Sequence, residues 1–243
     1  MGFDYNRRMT STLTHAASRL VADLRRVFGD RLRSVVAYGP HVDGVADAPL
    51  TCLALVTTLT MSDLEACAHV ARGWKHGRVA TPLVLPEAEF LDSLDVFPLE
   101  YGEIVRSGVV VYGDNPLPNI TIPAADLRRA CEAQVKSHLV HLRQGYLETG
   151  GRPRDVAELV RASAPAFAAL LRNVARLAGV HSSDRMTATY DGGRAAGLPA
   201  GIVADVLALE HPAGVPTGDA ARLFPEYLDA VQQLATAVDA WHA

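Results

Sequence analysis

The sequence has no excess of positive charge. Its 23 Lys and Arg face 27 Asp and Glu, for a formal net charge of -4, which argues against a strongly basic nucleic-acid surface. Aromatic residues are scarce at 6%, so no platform for stacking bases is advertised. Three cysteines, Cys52, Cys67 and Cys131, stand far apart with no Cys-x-x-Cys pair. An odd count without pairing suits a reducing compartment. No run approaches the ~20 apolar residues that span a bilayer, and the opening MGFDYNRRMT lacks the apolar core of a signal peptide. A soluble cytoplasmic protein with no membrane partner is expected. There is no Gly-x-Ser-x-Gly elbow, no P-loop and no Ser-His-Asp signature. Gly192-Gly193 and Gly197 follow no strand, so they fit no dinucleotide fingerprint and read as a hinge over 191–201. Internal repeats and low-complexity tracts are also missing.

What is present is core material. Hydrophobic residues make up 49% and charged residues 21%, enough to build a packed interior. A chain of 243 residues holds one large domain or two modest ones. Ser11 to Phe28 has Leu13, Ala17, Leu20, Leu24 and Val27 at steps of three and four, an amphipathic helix stopped by Gly29. Strands are expected at about 33–38 and 50–57. Ser62-Asp63-Leu64-Glu65 has the spacing of a capping box and opens a helix ending near Gly73. A third strand is expected from Arg78 to Leu85, a short helix from Pro86-Glu87, and a fourth strand over Gly108 to Tyr112. Val35, Val36, Leu53, Leu55, Leu83 and Leu85 are the candidate core of the sheet.

The segment Asn115 to Pro123 holds three prolines and no helical period. It divides an α/β region, 1–116, from a helical region, 117–243. Long helices are expected over Asp126 to Glu148 and over Pro153 to Gly179, the second kinked or split by Pro165. Two more are expected at Ile202 to Glu210 and Asp219 to Trp241. Apolar stripes on these segments predict a helical bundle.

The stretch Ala37 to Val56 reads AYGPHVDGVADAPLTCLALV: a strand end, a glycine-bearing loop and a second apolar strand. Leu94 to Leu117 reads LDVFPLEYGEIVRSGVVVYGDNPL, and His141 to Gly151 reads HLRQGYLETGG. On these segments the first half resembles the minimal nucleotidyltransferase fold, the family of DNA polymerase beta and the kanamycin nucleotidyltransferase. The longer pattern resembles a bacterial nucleotidyltransferase-like group with a helical C-terminal half. The resemblance implies an α/β N-terminal domain with a mixed sheet and helices, followed by an all-α helical bundle. In that family a Gly-Ser pair ends the first strand, a carboxylate pair lies on the second, and a third acid often lies on a later strand. Residues two apart on a strand share a face, so such a pair clamps two metal ions ~4 Å apart.

Set against that pattern, Gly39 matches the glycine, and Pro40 stands where the serine would be. Proline has neither a hydroxyl nor a backbone N–H with which to grip phosphate. Leu50 and Cys52 stand where the acid pair would be; in the neighbouring register the positions are Thr51 and Leu53. The later strand, Val79 to Leu85, has no acid either. A hard cation needs oxygen ligands, so the sequence implies a degenerate active site with no resident cofactor. A nucleotide or other small molecule in the cleft between the halves, or a protein partner, would then be bound rather than transformed, with Gly39, His41, Asp43 and Asp47 as candidate ligand-binding residues. The alternative is an active enzyme in which Asp43 and Asp47 take over Mg²⁺ binding and a nucleotidyl group is passed to a small molecule or protein. That alternative requires both carboxyl groups to point together into the site. Asp43 and Asp47 also fit simple turn chemistry.

Other charged residues have structural explanations. Glu87 and Glu89 suit a helix first turn, and Asp92, Asp95 and Glu100 follow them. Lys136, His138, His141 and Arg143 are expected on a solvated helix face, because two histidines three apart are a weak metal site. Arg176 and His181 have an Arg-x4-His spacing, but Gly179 interrupts it and chance explains it. A homodimer through the helical half is a further expectation.

Overall fold

The computed structural model describes residues 17–45, 47–180, 182, 184–209 and 217–241. The chain divides into two compact units, Met1–Ile122 and Pro123–Ala243.

The first unit is a mixed sheet covered on both faces. Residues 17–28 are helical (α1), and the stripe Ala17, Leu20, Leu24 and Phe28 is buried. The earlier part of the expected helix lies outside the described residues. Gly29, at φ +55°, turns the chain into β1 (Leu32–Tyr38), followed by β2 (Thr51–Val56), β3 (Leu83–Pro86) and β4 (Val109–Gly113). The sheet order is β3-β2-β1-β4, with β1 antiparallel to both β2 and β4, and β2 parallel to β3. Successive side chains leave opposite faces. Val35, Ala37, Cys52 and Ala54 pack under α1 and α2 (Met61–His76). Val36, Leu53 and Leu55 pack on the other face with Phe90 of α3 (Glu87–Asp92) and Tyr101 and Ile104 of α4 (Pro98–Ser107). Burial on both faces explains why β1 and β2 read as near-continuous apolar runs.

Several expectations are corrected here. The cap of α2 is Thr60 with Asp63, not Ser62 with Glu65: the Thr60 hydroxyl accepts from the Asp63 N–H at 3.3 Å, and the Asp63 carboxylate accepts from the Thr60 N–H at 2.9 Å. Arg31 also donates to both Asp63 oxygens, at 2.7 and 2.8 Å, and this guanidinium holds the carboxyl well below its usual range. The helix runs through Gly73 to His76; a Cβ on Gly73 would stand 2.7 Å from Arg19 Nη2, so the glycine makes room for Arg19 to cross it. The third strand is shorter than expected. Val79 bridges Leu50 alone, and the ladder resumes at Leu83, because Pro82 has no N–H to give. Leu83, expected in the core, is 38% exposed. Helix α4 was not expected at all. Leu117 and Ile120, beyond residue 116, pack with Val36 and Leu53 in the first unit.

The second unit is helical: α5 (Ala124–Thr149), α6 (Pro153–Leu177), α7 (Arg185–Ala195), α8 (Ala200–Ala208), α9 (Thr217–Arg222) and α10 (Phe224–Asp239). Helix α6 is not split at Pro165. Its buried stripe of Val160, Ala164, Phe167, Ala168 and Leu171 supplies packing that outweighs one missing backbone bond. The expected hinge is not one: Gly192 and Gly193 lie inside α7. The last expected helix is two, interrupted at Leu223 ahead of Pro225 in the first turn of α10. Among the described residues no helix is long and apolar enough to cross a membrane.

Candidate functional site

Chain reversal after β1 is built on two glycines. Gly39 at φ +79° and Gly44 at φ +93° occupy backbone space that side chains disfavour. Between them the chain makes one tight turn: the Asp43 N–H donates to Gly39 O at 3.1 Å and the Val45 N–H to Pro40 O at 2.9 Å. His41 Nδ1 lies 2.9 Å from the carbonyl of Ala48. A carbonyl only accepts, so Nδ1 carries a proton. His41 therefore ties the two ends of the loop together.

Of the two candidate carboxylates, Asp47 is turned to solvent and engaged by a cation. Asp47 has a fully exposed side chain, and its Oδ1 faces Arg78 Nη2 at 3.5 Å. Arg78 also donates to the Asp47 backbone carbonyl at 2.6 Å. Arg78 itself sits at φ +59°, and its own carbonyl accepts from the Leu50 N–H at 2.9 Å. Asp47 thus closes the loop onto the approach to β3. Asp43 is half-buried in the turn beside Gly39. Among the described residues no group of three or more His, Cys, Asp and Glu is arranged to hold a metal ion.

Strand β2 decides what the sheet can offer. Tyr38 pairs with Thr51, Ala37 with Cys52 and Val36 with Leu53. Leu50 and Cys52 belong to the layer beneath α1 and α2 and are 1% and 0% exposed. Leu53 belongs to the opposite layer and is 0% exposed. Thr51 alone is half-exposed, and its Oγ1 stands 4.0 Å from the position a Cβ on Gly39 would take. In either register, a carboxylate pair on β2 would put at least one acid into packed core. Burial pushes the Cys52 thiol up to about 12, so it offers a thiol and not a thiolate.

Glu100 and Glu103 of α4 bring negative charge close to Tyr38, which shares a face with Thr51. Burial raises the Tyr38 phenol, and Cys52, Glu103, Tyr101 and Glu100 add to the rise. From Val79 to Val105 the sequence holds no Lys, Arg or His. Glu87 pairs with Arg33 at 4.0 Å. A triphosphate bound here without metal would meet carboxylates. Sequence reasoning missed Tyr38, Thr51 and Tyr101 as a group, because α4 brings Tyr101 to the sheet and that helix was not anticipated.

In the second unit, Lys136 bridges Glu132 and Asp239 on the surface, and Arg143 bonds Gln232. His138 is not on a solvated face. It lies against Phe167, with Nε2 2.8 Å from the Tyr227 hydroxyl. Burial, with His141 adding to it, pushes its imidazole down to about 4. The unfolded chain therefore takes up this proton first, near pH 6.5. Stability from this group is complete above that pH and is lost as pH falls toward 4, by up to about 3 kcal/mol. Urea denaturation at pH 7 and near pH 4.5 is expected to show this loss, and His138→Gln to reduce it relative to wild type. An unchanged pH slope in the variant would mean other groups carry it. His181, of the Arg-x4-His spacing, lies outside the described residues.

No family model matches the chain, and no curated protein sequence matches it. Among solved structures it is similar to the spectinomycin adenyltransferase AAD(9) from Enterococcus faecialis, crystallised with ATP and spectinomycin. The TM-score is 0.55 at 12% identity, over 90% of this chain and 98% of that one. That likeness shows the fold that the two chains share, an α/β domain followed by a helical bundle.

Proposed function

We propose that this chain is a binding protein on a nucleotidyltransferase scaffold and does not transfer nucleotidyl groups by the two-metal route. The observation that carries the proposal is the state of β2. Leu50, Cys52 and Leu53 are packed into the two core layers, and the hydroxyl of Thr51 is the polar side chain that remains. A hard divalent ion needs several oxygen ligands at fixed distances, and a threonine beside Gly39 and Pro40 does not supply them. The ligand is a small molecule or a protein segment meeting the Gly39–Thr51 face, recognised without a metal bridge to phosphate. Fold alone does not assign it. Relocation of the metal site to Asp43 and Asp47 draws no support from the geometry, since Asp47 is turned to solvent and engaged by Arg78.

Calorimetric titration of the metal-free protein with ATP, GTP, CTP and UTP, each with and without Mg²⁺ or Mn²⁺, tests this. No metal-dependent binding is expected, and no pyrophosphate release. A thermal-shift screen runs beside it, since a ligand at 100 times its dissociation constant adds ~2.7 kcal/mol. Heat that appears only with metal, together with pyrophosphate release, would overturn the proposal.

A further inference from the structure

Two exposed surfaces of the first unit carry opposite charge, each beside exposed apolar side chains. The corner between α3 and α4 is the acidic one. Leu91, Val96 and Phe97 are 46%, 63% and 46% exposed there. The Phe97 ring leans on Tyr101 with centroids 5.5 Å apart, and Tyr101 leans on buried Phe90 at 4.9 Å. The exposed ring is therefore held in place from behind. Glu89, Asp92, Asp95 and Glu100 are exposed around it and form no ion pair among the described residues.

The outward face of α2 is the basic one. Leu64, Ala68, Arg72 and Lys75 recur at steps of four, four and three, so they share that face. Met61 and Leu64, 67% and 43% exposed, begin it, and Arg72 and Lys75 finish it. Arg19 of α1 crosses Gly73, on another side of the helix. Arg72 and Lys75 have no ion pair among the described residues, and Glu65 is the one acid beside them on that side of α2.

An apolar end followed by cations thus matches an apolar tip ringed by carboxylates. The two surfaces lie over opposite faces of one sheet, so a single copy cannot bring them together, and a second copy can. We infer that α2 of one copy docks on the α3–α4 corner of another, with Met61 and Leu64 against Phe97 and Val96, and Arg72 and Lys75 against Asp92 and Asp95. The contact is heterologous, because each copy presents one surface of each kind. Copies therefore add in line or close into a ring. The helical unit takes no part in it.

Sedimentation of the full chain across concentration and ionic strength tests this. Mass above the monomer is expected at low salt. It should fall as ionic strength rises from about 0.05 M toward about 1 M, where the Debye length shrinks to about 3 Å. A corner variant (Asp92→Asn, Asp95→Asn, Phe97→Ser) and a helix variant (Arg72→Gln, Lys75→Gln, Leu64→Ser) are each expected to sediment as monomers. Mixed one to one, they should form a dimer and nothing larger, since each retains the surface the other lost. If a variant melts early, the same charge changes without the apolar one give the same comparison. Three outcomes would each overturn the inference: a wild type that stays monomeric at about 0.1 mM, association that both variants leave unchanged, or a mixture that stays monomeric. None of these outcomes depends on whether a nucleotide binds.

Discussion

Leu53→Asp is expected to unfold the first unit, whereas Thr51→Asp is expected to leave it folded. The two positions are two residues apart on β2 and share a face, as an acid pair would. Leu53 is 0% exposed and packs with Val36, Leu55 and Phe90. Replacing it removes a core leucine, worth about 2–5 kcal/mol. It also buries a carboxyl group that has no partner, adding several kcal/mol even if the group stays protonated. The total, of order 5 kcal/mol or more, rivals the 5–15 kcal/mol that holds a typical domain together. Thr51 is half-exposed, so an acid there should change stability by about 1 kcal/mol or less. Trp74, buried and donating its indole N–H to Asp23 at 3.0 Å, reports on this unit by fluorescence during urea denaturation. A stable Leu53→Asp protein that gained Mn²⁺ binding would mean the site lies open, and the proposed loss of catalysis would fail with it. The contrast matters because the core is closed over Leu53, one of the two positions an acid pair in that register would need.

That closure was only partly legible beforehand. The lack of acids in Leu-Thr-Cys-Leu-Ala-Leu-Val is visible to anyone reading the chain, and it holds in either register. The register itself is not visible. A strand buried on both faces has no polar and apolar alternation to mark which side is which, so Leu50–Cys52 and Thr51–Leu53 stayed equivalent until α3 and α4 supplied the second layer. Helix α4 was hidden by its composition: Pro98, Gly102 and Gly108 punctuate it, and its buried residues Leu99, Tyr101 and Ile104 are too few to show a period. The loop carboxylates were ambiguous for a different reason. Asp43 and Asp47 suit turns and metals equally well by type, and the partner that holds Asp47 is Arg78, a residue thirty-one positions away from it, which no local pattern connects to it.

The helical half shows the same limit at a glycine. Gly192-Gly193 reads as a hinge because glycine usually marks freedom, yet here it marks contact. A Cβ on Gly192 would stand 1.8 Å from the carbonyl oxygen of Leu171 and 2.5 Å from its carbon. Helix α7 therefore packs on α6 backbone to backbone, and Gly193 fits against Val203 in the same layer. Gly192→Ala is expected to destabilise the protein by about 3 kcal/mol or more. The ~1 kcal/mol that alanine returns in helix propensity is too small to offset moving two helices apart. Gly201→Ala is the control. It lies in the first turn of α8 with nothing within 4 Å of its Cβ, so the same exchange should be neutral or stabilising by up to about 1 kcal/mol. Thermal melting followed by circular dichroism separates the two. A fall in Tm for Gly192→Ala beside a steady or raised Tm for Gly201→Ala would show that close helix approach, not flexibility, fixes glycine at 192. Equal behaviour of the two variants would return the segment to the hinge that its sequence suggested.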